Sequence, residues 1–384
     1  LFRSPRSAPP TAAQQRVLDR VLGLSRSFRH RVCDVSGGLP HFSDTRLPHF
    51  SDTRLPNATV SWLQFAGLAG DPLLPEYLLQ TQAVEIKDAD KVAVPDTPPP
   101  LRLLDVLPDE VAALYRDLGR LLRPSHEVRA APRAHLIKRP VYLALLRRLL
   151  ATGRVDWTLE PKAVNGLFGV EKPDGAVRLI ADCRAANAHF IDSPAVSLPT
   201  PDRLADLEVP EGSELYVAKA DLSDFFHQFL LPDELRPYFA LPPIRAGELD
   251  LPGFDPQQLV WPMLTTVPMG WSHAVYVTQK AHETIVLRSG LFDQDDFIAP
   301  GNDNRLNRTR LFIYIDDTGI CGTDRAEVDR RQRAYERVMR RHGLVIKPTK
   351  LVRASPDGVD ALGVSVGASR FGLSVDRLLA LAAV

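Results

Sequence analysis

The chain has 384 residues, 45% of them hydrophobic and 24% charged, an ordinary globular balance with room for two or three domains. Its formal net charge is zero, so no overall field draws it to nucleic acid. Cys33, Cys183 and Cys321 are too few and too widely spaced for a disulfide framework or a zinc site and suit a reducing, intracellular compartment, cytoplasmic or nuclear; no apolar run reaches membrane-spanning length, and the first residues do not form a signal peptide.

Residues 1–100 read as a low-order region. Ala12 to Leu24 has the pattern of one helix. The octamer Leu39 to Arg46 is repeated letter for letter from Leu47 to Arg54, which reads as a recent duplication in a tolerant loop rather than a solenoid. Pro95, Pro98, Pro99 and Pro100 read as a stiff linker closing this region. From Leu101 onwards the chain reads as folded. Pro108 to Arg123 is a predicted helix with Val111, Leu114, Leu118, Leu121 and Leu122 on one side, and Pro140 to Thr152 is a second, stopped by Gly153. Gly166 to Val170 and Ala176 to Ala181 read as strands joined by a Pro173-Asp174-Gly175 turn, and Leu215 to Leu222 as an apolar strand. Ser272 to Leu287 is a predicted helix and Leu311 to Cys321 a hairpin. Ala326 to His342 is a helix stopped by Gly343, and two short strands follow, at Ala361 to Val366 and Phe371 to Val375. Strands and helices without a regular βαβ repeat predict an α+β fold.

Asp316 and Asp317 fall at the expected hairpin tip between two β-favouring runs. Asp is a common turn residue, but adjacent carboxylates repel, and a divalent cation turns that repulsion into binding. Asp221 ends an otherwise apolar strand, where a lone carboxylate needs water, a partner or a metal. If the two segments are neighbours, three carboxylates converge in a pattern that suits a two-magnesium phosphoryl-transfer site. Two stretches, Arg116 to Arg154 and Arg325 to Arg353, are rich in basic residues; each reads either as a solvated helix face or as a phosphate-binding surface.

In order along the chain, several blocks resemble the polymerase domain of reverse transcriptases, those of retroviruses and LTR-type retrotransposons in particular. Phe168 to Asn187 is similar to the family's fingers hairpin, and Leu198-Pro199-Thr200-Pro201 to the motif leading into the palm. Lys219-Ala220-Asp221-Leu222-Ser223-Asp224-Phe225-Phe226 resembles the first palm motif. Val267-Pro268-Met269-Gly270-Trp271 resembles the Leu-Pro-Gln-Gly-Trp block with Met in place of Gln. Tyr314-Ile315-Asp316-Asp317 matches Tyr-x-Asp-Asp, Leu344 to Lys350 the next palm block, and Ala361-Leu362-Gly363 the primer-grip hairpin with Ala in place of Phe.

The resemblance implies a right-hand polymerase fold: N-terminal helices and fingers over 101–214, palm over 215–360, and a primer-grip hairpin with the start of a thumb over 361–384. It implies template-directed DNA synthesis from dNTPs on an RNA or DNA template-primer, with no membrane partner, or else a catalytically inactive nucleic-acid-binding remnant. Asp221, Asp316 and Asp317 would be catalytic and would hold two Mg²⁺ ions, or Mn²⁺, with the Leu222 carbonyl as a further ligand. Lys172 and Arg178 would grip the triphosphate, although a Lys and an Arg on a hairpin, taken alone, read as merely exposed. Phe226 would exclude a ribose 2′-hydroxyl, while Phe225-Phe226 taken alone reads as core packing. Gly270 would allow close backbone approach to the nucleotide beside Met269, and Lys350 would lie near the departing pyrophosphate. Gln279 matches a family Gln only loosely. Ribonuclease H, integrase or protease activities of a parent element would lie outside this chain.

Overall fold

In the computed structural model the described residues are 83–373, apart from 132, 173–174, 300, 363 and 368–369. The expected helix at Ala12 to Leu24, the octamer repeat, Cys33 and the end of the chain lie outside them. Among the described residues no helix is long and apolar enough to cross a membrane.

The larger elements are α1 (Asp109–Arg116), α2 (Arg139–Ala151), β1 (Gly166–Glu171), β2 (Val177–Asp182), β3 (Tyr216–Asp221), β4 (Leu259–Leu264), α3 (Ala274–Arg288), β5 (Arg310–Tyr314), β6 (Asp317–Gly322), α4 (Arg325–Arg341), β7 (Val352–Ser355), β8 (Val359–Ala361), β9 (Val364–Gly367) and β10 (Arg370–Leu373). Helices and strands are mixed, and the fold is α+β as expected.

An antiparallel sheet in the order β5-β6-β3-β7 organises the molecule. Side chains alternate across it with the strand period of two. Leu311, Ile313, Ala218, Ala220 and Ile320 face one core, and Phe312, Val217 and Cys321 face a second. Helices α3 and α4 pack on the first face, where Thr318 meets side chains from both. The meander β8-β9-β10 packs on the second face through Val359, Ala361, Val364 and Val366. With both faces covered, β3, β5 and β6 carry the apolar runs that make them visible in the sequence, while the edge strand β7, Val-Arg-Ala-Ser, does not.

Ala361 to Val366, expected as one strand, instead contains the β8-β9 turn, with Ala361 paired to Val364, and three further sequence expectations change. The helix over Pro108 to Arg123 is broken: α1 stops at Arg116, and Asp117 caps a separate turn, Leu118–Leu121, by accepting from the Arg120 amide. The folded part does not begin at Leu101. Ile86 and Val92 are buried, Val92–Ala93 pairs in parallel with Val177–Arg178, and the Pro95 and Thr97 carbonyls accept the buried guanidinium of Arg154. The proline-rich stretch before Leu101 is therefore part of the packed structure. Thirdly, a sheet formed by Val155–Thr158, β4 and Ile244–Arg245 had no sequence signal, because Pro262 sits in the middle of its central strand.

Candidate active site

Strands β3 and β6 bring the predicted acids together. Asp317 is the direct cross-strand partner of Asp221, and the Leu222 amide donates to the Asp316 carbonyl at 2.9 Å. Along these two central strands the pairs run Val217 with Cys321, Lys219 with Gly319, and Asp221 with Asp317. By strand alternation all lie on the face carrying the second core, and the acids close the run at the end of the strand pair. The tip differs from expectation in one respect. Tyr314 pairs with Asp317, so the two-residue turn is Ile315-Asp316, and Asp317 is the first residue of the returning strand.

The carboxylates are turned to lysines. Lys347 contacts Asp221 Oδ1, Lys350 Nζ stands 3.2 Å from Asp221 Oδ2, and Lys219 Nζ stands 3.0 Å from Asp317 Oδ2. The Lys347 amide also donates to the Asp221 carbonyl at 2.8 Å. Among the described residues Asp317 Oδ1 is buried with no hydrogen-bond partner. Burial, followed by the charge of Asp221, pushes the Asp316 carboxyl above its ordinary range against the pull of Lys347 and Arg178. Burial pushes Asp317 up too, against the pull of Lys219. Among the described residues no three acidic, His or Cys side chains form a ready-made metal cage. The donor chemistry nevertheless fits a hard divalent cation: an orphaned carboxylate oxygen, a mutually repelling acid pair, and ammonium groups where positive charge is wanted.

The turn is held from behind. Ile315 has φ +58°, a left-handed conformation that a β-branched residue adopts at a cost of roughly 1–3 kcal/mol. Helix α3 grips both of its peptide groups: Gln279 Oε1 accepts from the Ile315 amide at 2.7 Å, and His282 Nδ1 lies 2.7 Å from the Ile315 carbonyl. Gln279 also donates to the Ile313 carbonyl. His282, Lys347 and Lys219 were missed in the sequence, and Gln279 only loosely matched. For the helix pair the available signal was two polar residues three apart, Gln279 and His282, a spacing that puts them on one helix face.

Arg178 and Lys172 lie on the β1-β2 hairpin, at its second strand and at its turn. Arg178 is exposed and its charge reaches Asp316, whereas among the described residues no contact joins Lys172 to the acids. Phe225 is the core residue, edge-on to Phe229, and Phe226 is half-buried beside it. The Met269 carbonyl accepts from the Ala181 amide, and Gly270 has φ +127°. A Cβ on Gly270 would stand 1.9 Å from the Ala181 carbonyl oxygen, so packing against β2 by itself requires glycine here. Asn187 ties the loop down by donating to the Gly270 carbonyl and accepting from the Ser272 amide. Below β2, Asp182 takes both ends of the Arg184 guanidinium at 2.8 and 2.6 Å; burial would raise its carboxyl, but Arg184 and the Ala134 amide outweigh burial and hold it below its usual range.

The first basic stretch is largely consumed internally. Arg139 pairs with Glu248, Arg147 donates to the Glu248 carbonyl, Arg148 to the Ala89 carbonyl, and Arg154 to Pro95 and Thr97. In the second stretch Arg330 and Arg331 pair with Glu327, and Arg353 with Glu336.

The chain has counterparts among known proteins. Residues 170–366, just over half of the chain, match the family model described as reverse transcriptase (RNA-dependent DNA polymerase). The chain is similar to the Gag-Pro-Pol polyproteins of mouse mammary tumor virus (26% identical over 223 residues, 56% of this chain) and bovine leukemia virus (28% over 229 residues, 56%). A third relative is that of human T-cell leukemia virus 2 (25% over 279 residues, 70% of this chain). The chain spans 11%, 15% and 16% of those polyproteins, respectively. A structure of a foamy viral protease-reverse transcriptase in complex with double-stranded DNA aligns over 71% of this chain and 46% of its own, with 17% identity and a TM-score of 0.46. With a family match that takes in the Asp221 strand, the Met269-Gly270 loop and the Asp316-Asp317 hairpin, the chain belongs to the reverse transcriptase family.

Proposed function

We propose that this chain is a polymerase of the right-hand type that extends a primer 3′-hydroxyl with dNTPs on an RNA or DNA template. The β1-β2 hairpin serves as fingers, the β5-β6-β3-β7 sheet with α3 and α4 as palm, and the β8-β9 hairpin as primer grip and start of the thumb. The observation that carries this reading is the pairing of Asp221 with Asp317 at a sheet end, beside Asp316 and within the field of Arg178.

Asp221, Asp316 and Asp317 would hold Mg²⁺, or Mn²⁺, with the Leu222 carbonyl as a further donor. When bound, the two ions would activate the primer hydroxyl and neutralise charge on the leaving pyrophosphate. The chain's own residues supply the rest. Arg178 and Lys172 would clamp the triphosphate with charge-assisted bonds. Phe226 would lie under the sugar and exclude a 2′-hydroxyl. Met269 and Gly270 would present an apolar, closely approachable wall to the nucleotide. Lys350 would turn from Asp221 to the departing pyrophosphate. Basic side chains on α4 that pair with no acid among the described residues, such as Arg337 and Arg340, would contact template-primer phosphates in a salt-dependent, sequence-blind way.

The test is incorporation of labelled dTTP on oligo(dT)-primed poly(rA) by wild type and Asp316→Asn. The proposal expects incorporation by the wild type and a loss of about a thousandfold or more in the variant. Equal incorporation by both, or nucleic-acid binding without incorporation by either, would overturn it.

A further inference from the structure

Behind the Ile315-Asp316 turn runs a buried polar chain that the family's motifs do not include. His282, Thr318 and Tyr335 come from α3, β6 and α4 and are 0%, 1% and 0% exposed. His282 Nδ1 is 2.7 Å from the Ile315 carbonyl, His282 Nε2 is 2.8 Å from Tyr335 Oη, and Tyr335 Oη is 3.0 Å from Thr318 Oγ1. A carbonyl only accepts, so Nδ1 carries the proton. With a neutral ring Nε2 then accepts, the Tyr335 hydroxyl donates to it, and the Thr318 hydroxyl donates to Tyr335. Every member is satisfied in one direction only. The network therefore specifies a single ring orientation, which an apolar side chain filling the same space would not do.

The chain ends on the carbonyl of the one residue that most needs holding. Ile315 sits at φ +58°, and its carbonyl begins the peptide that leads directly into Asp316. Release of that carbonyl lets Ile315 relax towards negative φ and swings the Asp316 carboxylate with it. We propose that His282 is a positioning residue for the polymerase site: through Thr318 and Tyr335 it is locked against the Ile315 carbonyl and keeps the turn in the conformation that aims Asp316. Burial holds the His282 ring at a pKa of about 4, consistent with the neutral form that the chain of donors requires. The inference rests on the polymerase reading above.

The test compares His282→Leu, His282→Asn and Tyr335→Phe, each in the Ile315 and the Ile315→Gly background. Single-nucleotide kinetics on primed poly(rA) are one readout; amide hydrogen exchange over Tyr314 to Thr318 is the other. Glycine adopts positive φ without a Cβ penalty, so it removes the need for the clamp. In the Ile315 background His282→Leu is expected to lower kcat about tenfold to a hundredfold with KM for dTTP nearly unchanged, and to speed hairpin exchange about tenfold. His282→Asn, whose amide can still donate to the carbonyl, is expected to recover most of the loss. In the Ile315→Gly background the effect of His282→Leu should shrink to about threefold or less. Equal losses in the two backgrounds, or unchanged exchange, would overturn the proposal. Should His282→Leu not fold, Tyr335→Phe removes one hydroxyl only and is expected to cost about threefold to tenfold in kcat, again relieved by Ile315→Gly. A wild type that incorporates nothing would sink the polymerase reading, while the exchange data would still decide the clamp.

Discussion

At Asp316 stability and chemistry pull in opposite directions. Burial and the charge of Asp221 raise its carboxyl, so the folded state holds the proton more tightly than the unfolded chain does. A carboxyl raised in this way contributes least to stability when ionised: its contribution is fully present below the ordinary carboxylate range and is lost as pH rises through the raised value. Asp316→Asn is therefore expected to raise the metal-free melting temperature at pH 7, by about 2–4 °C per kcal/mol relieved, while abolishing nucleotide incorporation. That gain should shrink as pH falls towards 4, as differential scanning fluorimetry across pH would show. Lys347 is the complementary case. Its ammonium occupies Asp221 Oδ1, in competition with any cation that Asp221 is to hold. Lys347→Met is expected to tighten Mn²⁺ binding about threefold to tenfold, read by electron paramagnetic resonance without turnover. The three aspartates were legible in the sequence because a carboxylate in an apolar strand is conspicuous. Lys219 and Lys347 were not, because a lysine near a strand end looks the same in sequence whether it faces water or an acid.

Among the elements, the loop after Val267 gives the sharpest prediction. Gly270 combines φ +127° with a 1.9 Å approach of a would-be Cβ to the Ala181 carbonyl oxygen. Gly270→Ala is expected to cost at least about 3 kcal/mol, because neither backbone can give way without breaking the Ala181-to-Met269 hydrogen bond. The sequence singled out this glycine for a close approach to nucleotide; the structure supplies a nearer neighbour, strand β2. A second element-level outcome concerns Asp182 and Arg184. Asp182→Ala removes the buried carboxylate that accepts from Arg184 and the Ala134 amide and should destabilise by about 1–3 kcal/mol, measurable by urea denaturation. Strands β3, β5 and β6 of the central sheet and helices α2, α3 and α4 were readable because apolar period and end signals coincide there, whereas β7, Val352–Ser355, has no apolar run and was not read. Failures came where one signal masked another. Leu118 and Leu121 continue the periodicity of α1 across the break that Asp117 imposes, and Pro262 hides a central strand. The one-residue shift of the Asp316-Asp317 tip arose because Ile315 is among the last residues that turn chemistry would place at positive φ.

For the whole molecule, the folded boundary matters most. Composition put it at Leu101, since four prolines in six residues look like a linker. The Arg154 guanidinium, with both its contacts on the Pro95 and Thr97 carbonyls, shows why that failed: prolines lack a backbone donor but keep the acceptor, and a buried cation uses acceptors. A chain starting at Leu101 would strip the partners from Arg154 and Arg148 and uncover the pocket filled by Ile86, Ala89 and Val92. Its melting temperature should fall by more than about 10 °C relative to the full chain, or it should not be recovered soluble.

The Lys219 ammonium joins distant parts of this body. It donates to the Asp360 carbonyl at 2.9 Å on the β8-β9 hairpin while it faces Asp317 at 3.0 Å. Because one nitrogen cannot keep both contacts if they separate, the hairpin and the acid are mechanically leashed. Displacing the hairpin by an ångström or so would have to break one of these two contacts, so the charge beside Asp317 is set in part by where the Asp360 carbonyl stands.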